Sequence, residues 1–158
     1  ISPDNYRDFV APYHKELVDY FKAKKVGVTT HICGTTSPIY EDLIRCGFST
    51  VSFDLDQQGD PKLYVDQLTR FMEVSKGRVV AIGNVDATKF EKTTREAMVA
   101  DVRRCIDAAA RHSAFILSTS CEIPPKSSPE IVKWFMDAAR EYGRYERIFD
   151  GAEPAPAG

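Results

Sequence analysis

A histidine and a cysteine stand one residue apart in Thr29-Thr-His31-Ile-Cys33-Gly34, where a run of β-formers meets glycine. On a strand, side chains at i and i+2 share a side, whereas a helix would splay them. A third soft donor, Cys121, lies far along the chain in Ser118-Thr-Ser-Cys121-Glu122, after another short apolar run. Imidazole nitrogen and thiolate sulfur are zinc ligands: structural sites fill all four positions with protein, and catalytic sites keep one open. His31, Cys33 and Cys121 make three, and no Cys-x-x-Cys knuckle supplies a fourth. The arithmetic favours an open, catalytic zinc, with Asp54 or Glu122 as fillers of the fourth place in a resting state. Two thiolates and a neutral imidazole leave the ion electron-rich, which suits it to holding a substrate thiol as thiolate. A thiolate so held is a nucleophile able to take a methyl group from an electrophilic carrier. Water activation is the other option, more often built from histidines and carboxylates.

The elements that must bring these residues together follow from periodicity. Ser2-Pro3-Asp4 opens a helix. Tyr6, Phe9, Val10, Tyr13, Leu17 and Phe21 recur at helical spacing, with a break or kink expected at Pro12. Strands are predicted over 26–32, 50–53, 78–82 and 114–118. Helices are predicted over 38–46, stopped by Gly47, over 61–74, over 93–112 with Thr93 and Glu96 as a capping box, and over 128–142. Leu63, Leu68, Phe71 and Met72 are the expected buried residues of the second of these. Met98, Val102, Cys105, Ile106 and Ala109 form the stripe of the third.

Strands alternating with helices argue for a parallel sheet under helical cover. A complete (β/α)8 barrel takes about 250 residues, so four units in 158 residues are an open doubly wound sheet or half of a barrel. In both, chemistry gathers at the carboxyl ends of the strands. Those ends read His31-Ile-Cys33-Gly, Phe53-Asp54-Leu-Asp56, Gly83-Asn84-Val-Asp86 and Ser118 to Glu122. In the first strand Val26, Val28, Thr30 and Ile32 suit packing under helices, and Gly27, Thr29, His31 and Cys33 face the other way. A one-residue slip would exchange the two sets.

Composition narrows the function classes. Net charge is −2 with 43% hydrophobic residues, enough for a core, and no basic stripe suggests nucleic acid. No apolar stretch is long enough to cross a bilayer. The first residues lack the layout of a signal peptide, and they lack methionine, so a piece of a longer protein is expected. Four cysteines without disulfide-framework spacing suit a reducing, cytoplasmic setting. Residues 1–150 read as one domain and 151–158, Gly-Ala-Glu-Pro-Ala-Pro-Ala-Gly, as a disordered tail.

Taken together, "HICG", "VSFD", "GNVD" and "IPPKSSPE" shortly after Cys121 resemble the C-terminal half of the uroporphyrinogen decarboxylase superfamily. The match is nearest to its cobalamin-dependent methyltransferase branch. The resemblance implies the C-terminal half of a (β/α)8 barrel, α/β in class, with zinc held by His31, Cys33 and Cys121. It implies methyl transfer between a corrinoid, as methylcobalamin or carried on a corrinoid protein, and a zinc-activated thiol resembling coenzyme M; the direction stays open. It also implies a partner in the absent N-terminal half-barrel, or self-association through open sheet edges. Ser120, where the family more often has glycine, and Glu122 depart from the pattern next to the ligands. The rival enzyme is a tetrapyrrole decarboxylase, which would need no metal, and the rival outside enzymology is a non-catalytic metal-binding half-barrel.

Plainer readings stand beside these. His31 and Cys33 alone would read as a core histidine and a buried thiol. Cys46 and Cys105 read as packing residues, and His14 and His112 as structural. Asp54 either contacts the ligand histidine or substrate, or caps the following loop. Asn84 either lines the cofactor pocket or stabilises the turn after Gly83, while Asp86 is a second pocket candidate. Asp56, Arg95, Arg103 and Arg104 read as solvated.

Overall fold

The computed structural model of the protein describes residues 1–55, 63–112 and 114–150. Asp56, Pro61 and the tail 151–158 lie outside the described residues. Helix α1, Pro3–Phe9, is capped by Ser2, whose hydroxyl accepts from the Asn5 amide at 3.2 Å. The expected break falls at Val10, and α2, Ala11–Ala23, restarts with Pro12 in its first turn, where the missing N–H costs nothing. The break divides the apolar stripe. Tyr6 and Val18 are buried, but Phe9 and Tyr13 are 71% and 69% exposed. The side chain of Tyr6 explains its half of the division: its hydroxyl meets Cys46 Sγ at 3.7 Å and His14 Nδ1 at 2.9 Å.

Strand β1, Thr29–Ile32, starts three residues later than the pattern of β-formers predicts. The Val26 amide is already committed, donating at 3.0 Å to the Phe21 carbonyl to close α2, with Lys25 at φ 60. This is the crossed hydrogen bonding that ends many helices. A 3-10 turn over Ser37–Ile39 leads into α3, Tyr40–Cys46, which Gly47 ends at φ 87. Strand β2 is Thr50–Phe53, and α4 is Leu63–Ser75. Strand β3 runs Val80–Val85, passing through the glycine at which the sequence suggests a stop. Gly83 has φ 144, a conformation only glycine adopts freely, yet it pairs with Leu117 and the ladder continues to Val85.

Helix α5, Arg95–Ala109, is capped by Thr94 rather than Thr93: the Thr94 hydroxyl accepts from Ala97 N at 3.2 Å. Strand β4 is Phe115–Thr119, and α6 is Pro129–Tyr142. A short α7, Tyr145–Asp150, follows that periodicity did not suggest. Nor are all the arginines of α5 simply solvated. Arg103 lies over the Tyr142 ring at 4.9 Å, and Arg104 pairs with the buried Asp101 at 3.3 Å.

The four strands are parallel in the order β1-β2-β3-β4. With their helices they form half of a TIM barrel. Val51 and Phe53 point under the helices, where Phe53, Tyr40 and Phe71 pack with ring centroids 5.1–5.4 Å apart and join β2, α3 and α4. The Arg7 Nε–H, shared between the two carboxylate oxygens of the buried Asp42 at 3.1 and 3.2 Å, anchors α1 to α3. Thr29, His31 and Ile116 are exposed on strands whose other side is covered. Among the described residues no helix is long and apolar enough to cross a membrane.

Candidate metal centre

Register carries His31 to the site. In the parallel pairing of β1 and β2, His31 lies opposite Ser52 and Ile32 opposite Phe53. Phe53 is in the core, so the alternation sends Ser52 and His31 to the uncovered side. Cys33 follows two residues on, just past the strand end, and Gly34 turns the chain away at φ 78.

Cys121 arrives from the far end of the sheet. Its position is set by the residues that precede it. Thr119 Oγ1 donates to the Cys121 carbonyl at 2.7 Å, and the Ser120 amide donates to the Val85 carbonyl at 2.7 Å. Ser120 is buried, and its hydroxyl accepts from the Ala87 amide at 3.3 Å. Ser120 therefore ties the end of β4 to the loop after β3.

In a flat sheet, three interstrand steps would separate the ends of β1 and β4 by about 14 Å. Cys33 Sγ and Cys121 Sγ are 3.8 Å apart, so the sheet must curl, as barrel strands do. His31 Nε2 is 3.3 Å from Cys33 Sγ and 3.8 Å from Cys121 Sγ. These three donor atoms form one cluster suited to a metal ion.

The separations allow a direct test of fit. Zn–S of about 2.3 Å and Zn–N of about 2.0–2.1 Å at tetrahedral angles require S–S of about 3.8 Å and N–S of about 3.6 Å. The observed triangle of 3.8, 3.3 and 3.8 Å matches those edges. A disulfide would need about 2.05 Å, and both thiols are free. The Cys33 thiol titrates above its ordinary value, first because it hydrogen-bonds Cys121, then through burial, then through the charges of Cys121, Asp54 and Glu122.

The remaining expected residues are placed as follows. Neither Asp54 nor Glu122 adds an oxygen to the three-donor cluster. Asp54 accepts from the Leu55 amide at 2.8 Å and from the Gly34 amide at 3.4 Å, so its carboxylate holds the loop that follows Cys33. The hydrogen bond to the histidine that was one option for Asp54 is made instead by Ser52, whose Oγ is 3.0 Å from His31 Nδ1. Ser52 is the site residue that motif reading passed over. Its signal was the alternation Thr50-Val51-Ser52-Phe53, which marks Ser52 as the polar side of β2. Asn84 is 2% exposed within β3, and among the described residues neither polar atom of its side-chain amide has a partner. Asp86 caps the 3-10 turn Ala87–Phe90, accepting from Thr88 N at 2.9 Å. Cys46 and Cys105 are buried, and burial pushes both thiols up.

Comparison with known proteins agrees with this architecture. Two curated relatives, the methylcobamide:CoM methyltransferases MtbA of Methanosarcina acetivorans and Methanosarcina mazei, are each 24% identical over 143 residues. Each alignment takes in 90% of this chain and 38% of the relative, so the chain spans well under half their length. A solved structure of a methyltransferase from Methanosarcina mazei superposes with a TM-score of 0.72 at 23% identity, covering 91% of this chain and 39% of that one. That likeness establishes a shared fold. The family model for uroporphyrinogen decarboxylase (URO-D) matches residues 1–142, and on that match the chain belongs to the URO-D family.

Proposed function

We propose that this chain is the metal-binding half of a methyltransferase that moves a methyl group between a corrinoid and a thiol. The observation that carries the reading is the His31, Cys33 and Cys121 triangle, whose edges fit tetrahedral zinc. The relatives' names support the class of reaction, and the donor set supports the metal. A zinc ion held by these residues would supply a Lewis acid that keeps an acceptor thiol deprotonated near neutral pH.

The chain's own residues do the rest. Among the described residues His31, Cys33 and Cys121 supply three donors while Asp54 and Glu122 stand outside the cluster, and this reading gives the fourth coordination direction to the acceptor. Asp54 and Glu122, whose charges are felt at Cys33, are the catalytic carboxylates in this reading, assigned to the rim that an arriving thiol must pass. Asp54 also holds the Cys33 loop through Gly34 N. Asn84 carries an amide with hydrogen-bonding capacity to spare, and we assign it to the cofactor. The corrinoid, a corrinoid protein that delivers it, and the remaining barrel wall are partners in this reading.

Metal analysis of the purified protein and of Cys121→Ser tests it. The expected result is about one zinc per chain in the parent, since three donors define a single site, and strong loss in the variant. Adding a small thiol to the loaded protein should raise the sulfur coordination seen by X-ray absorption. A parent protein that takes up no zinc would end the proposal.

A further inference from the structure

The zinc reading leaves one atom of the ligand histidine to be explained, the ring nitrogen that faces away from the sulfurs. His31 Nδ1 is 3.0 Å from Ser52 Oγ. The contact is built into the sheet, since His31 and Ser52 are paired across β1 and β2 and their side chains leave the same face. Asp54, the nearest alternative partner by sequence, is engaged with the Gly34 and Leu55 amides.

We infer that Ser52 is a positioning residue of the metal centre. Its hydroxyl holds the His31 ring in place through Nδ1, and in the metal-loaded site its oxygen accepts the Nδ1 proton so that the Nε2 lone pair faces Cys33 and Cys121. The inference rests on the zinc reading. A neutral imidazole has one N–H and one lone pair, so the partner of one nitrogen decides what the other presents. Fixing Nδ1 also fixes the ring plane, and Nε2 then stands 3.3 and 3.8 Å from the two sulfurs.

The same heavy-atom positions serve both states of the site. Without metal, a serine that donates to Nδ1 leaves Nε2–H to donate to the Cys33 sulfur. With metal, the serine hydroxyl turns to accept from Nδ1–H, and Nε2 is free to coordinate. Loading therefore asks for the Nε2 proton to be replaced by one at Nδ1, for the thiol protons of Cys33 and Cys121 to leave to solvent, and for one hydroxyl rotation, not for a new fold of the site. A neutral hydroxyl also adds no charge beside two thiolates, which preserves Lewis acidity that a carboxylate partner would diminish.

Outer partners of ligand histidines typically contribute 10–100-fold to metal affinity. The test is a zinc titration of the metal-free protein against a chromophoric chelator, on the parent, Ser52→Ala, Ser52→Thr and Ser52→Val. The expected result is weakening by about 10–100-fold in the Ala and Val variants and recovery to near parental affinity in Thr, which restores the hydroxyl. A parent that binds zinc no more tightly than Ser52→Ala overturns the role of Ser52 and leaves the metal site standing. A parent that binds none overturns both. Nitrogen-15 spectra of the zinc-loaded parent test the claim without any variant, so a poorly folding substitution does not shield it: Nδ1 must carry the proton and Nε2 the metal, and the reverse pattern refutes the inference.

Discussion

Most of the candidate ligands were legible because their chemistry is local to their own side chains. An imidazole and two thiols are scarce, soft donors, and the His-x-Cys spacing on a strand is itself a statement about direction. Ser52 was not legible in that way. A serine on a strand carries no signal until register shows what stands opposite, and register depends on the neighbouring strand. Ser120 is a second case, since only packing shows its hydroxyl meeting the Ala87 amide. Ser120→Ala should leave that buried N–H unpaired and cost about 1–3 kcal/mol, measurable by urea unfolding. His14 offers a pH test. Burial holds its pKa below the ordinary 6.5, so below that pH the unfolded state binds more protons than the folded one. The stability His14 contributes is complete above about 6.5 and is lost as the pH falls through the folded-state value. The stability advantage of the parent over His14→Gln should therefore shrink between about pH 7 and pH 5 in paired unfolding curves.

Element boundaries were right where one strong local rule acted alone and shifted where two rules competed. Thr50–Phe53 and Pro129–Tyr142 follow the pattern closely. The start of β1 moved because closing α2 had first claim on the Val26 amide. The end of β3 moved because ladder pairing with β4 outweighed the tendency of glycine to stop a strand. The cap of α5 is a choice between adjacent threonines, and hydrogen-bond geometry selects the second. Thr94→Ala should cost about 1 kcal/mol, while Thr93→Ala should stay within about 0.5 kcal/mol of the parent, as read from thermal or urea unfolding. The contact between elements that matters most to the sheet's covered face is the Tyr40, Phe53 and Phe71 cluster. Phe71→Ala should cost about 3–5 kcal/mol, since Phe71 is fully buried and touches rings from two other elements.

On the scale of the molecule, the site spans the sheet from its first strand to its last. His31 and Cys33 come from its first strand and Cys121 from beyond its last, so a metal ion would join chain segments 88–90 residues apart. Such a ligand binds the folded chain, where all three donors meet, more tightly than the unfolded one, and so stabilises it. At zinc about 1,000-fold above its dissociation constant, the linkage is about 4 kcal/mol. The melting temperature of the parent should rise accordingly, and that of Cys121→Ser should stay near the metal-free value, as calorimetry of both with and without zinc would show. Phe9 and Tyr13 on the N-terminal helices and Ile116 on the uncovered sheet face are exposed apolar groups. They fit a chain that spans 38% of its relatives' length.

The sequence by itself determined the alternation of strands and helices, the side of β1 that bears His31 and Cys33, and the identity of the three soft donors. Periodicity and side-chain chemistry are properties of short stretches. The meeting of Cys121 with residues about ninety positions earlier, the employment of Asp54 in its loop and the pairing of Ser52 with His31 were decided only in three dimensions. Sheet curvature and strand register set those contacts, and both arise from packing between segments that no short stretch of sequence contains.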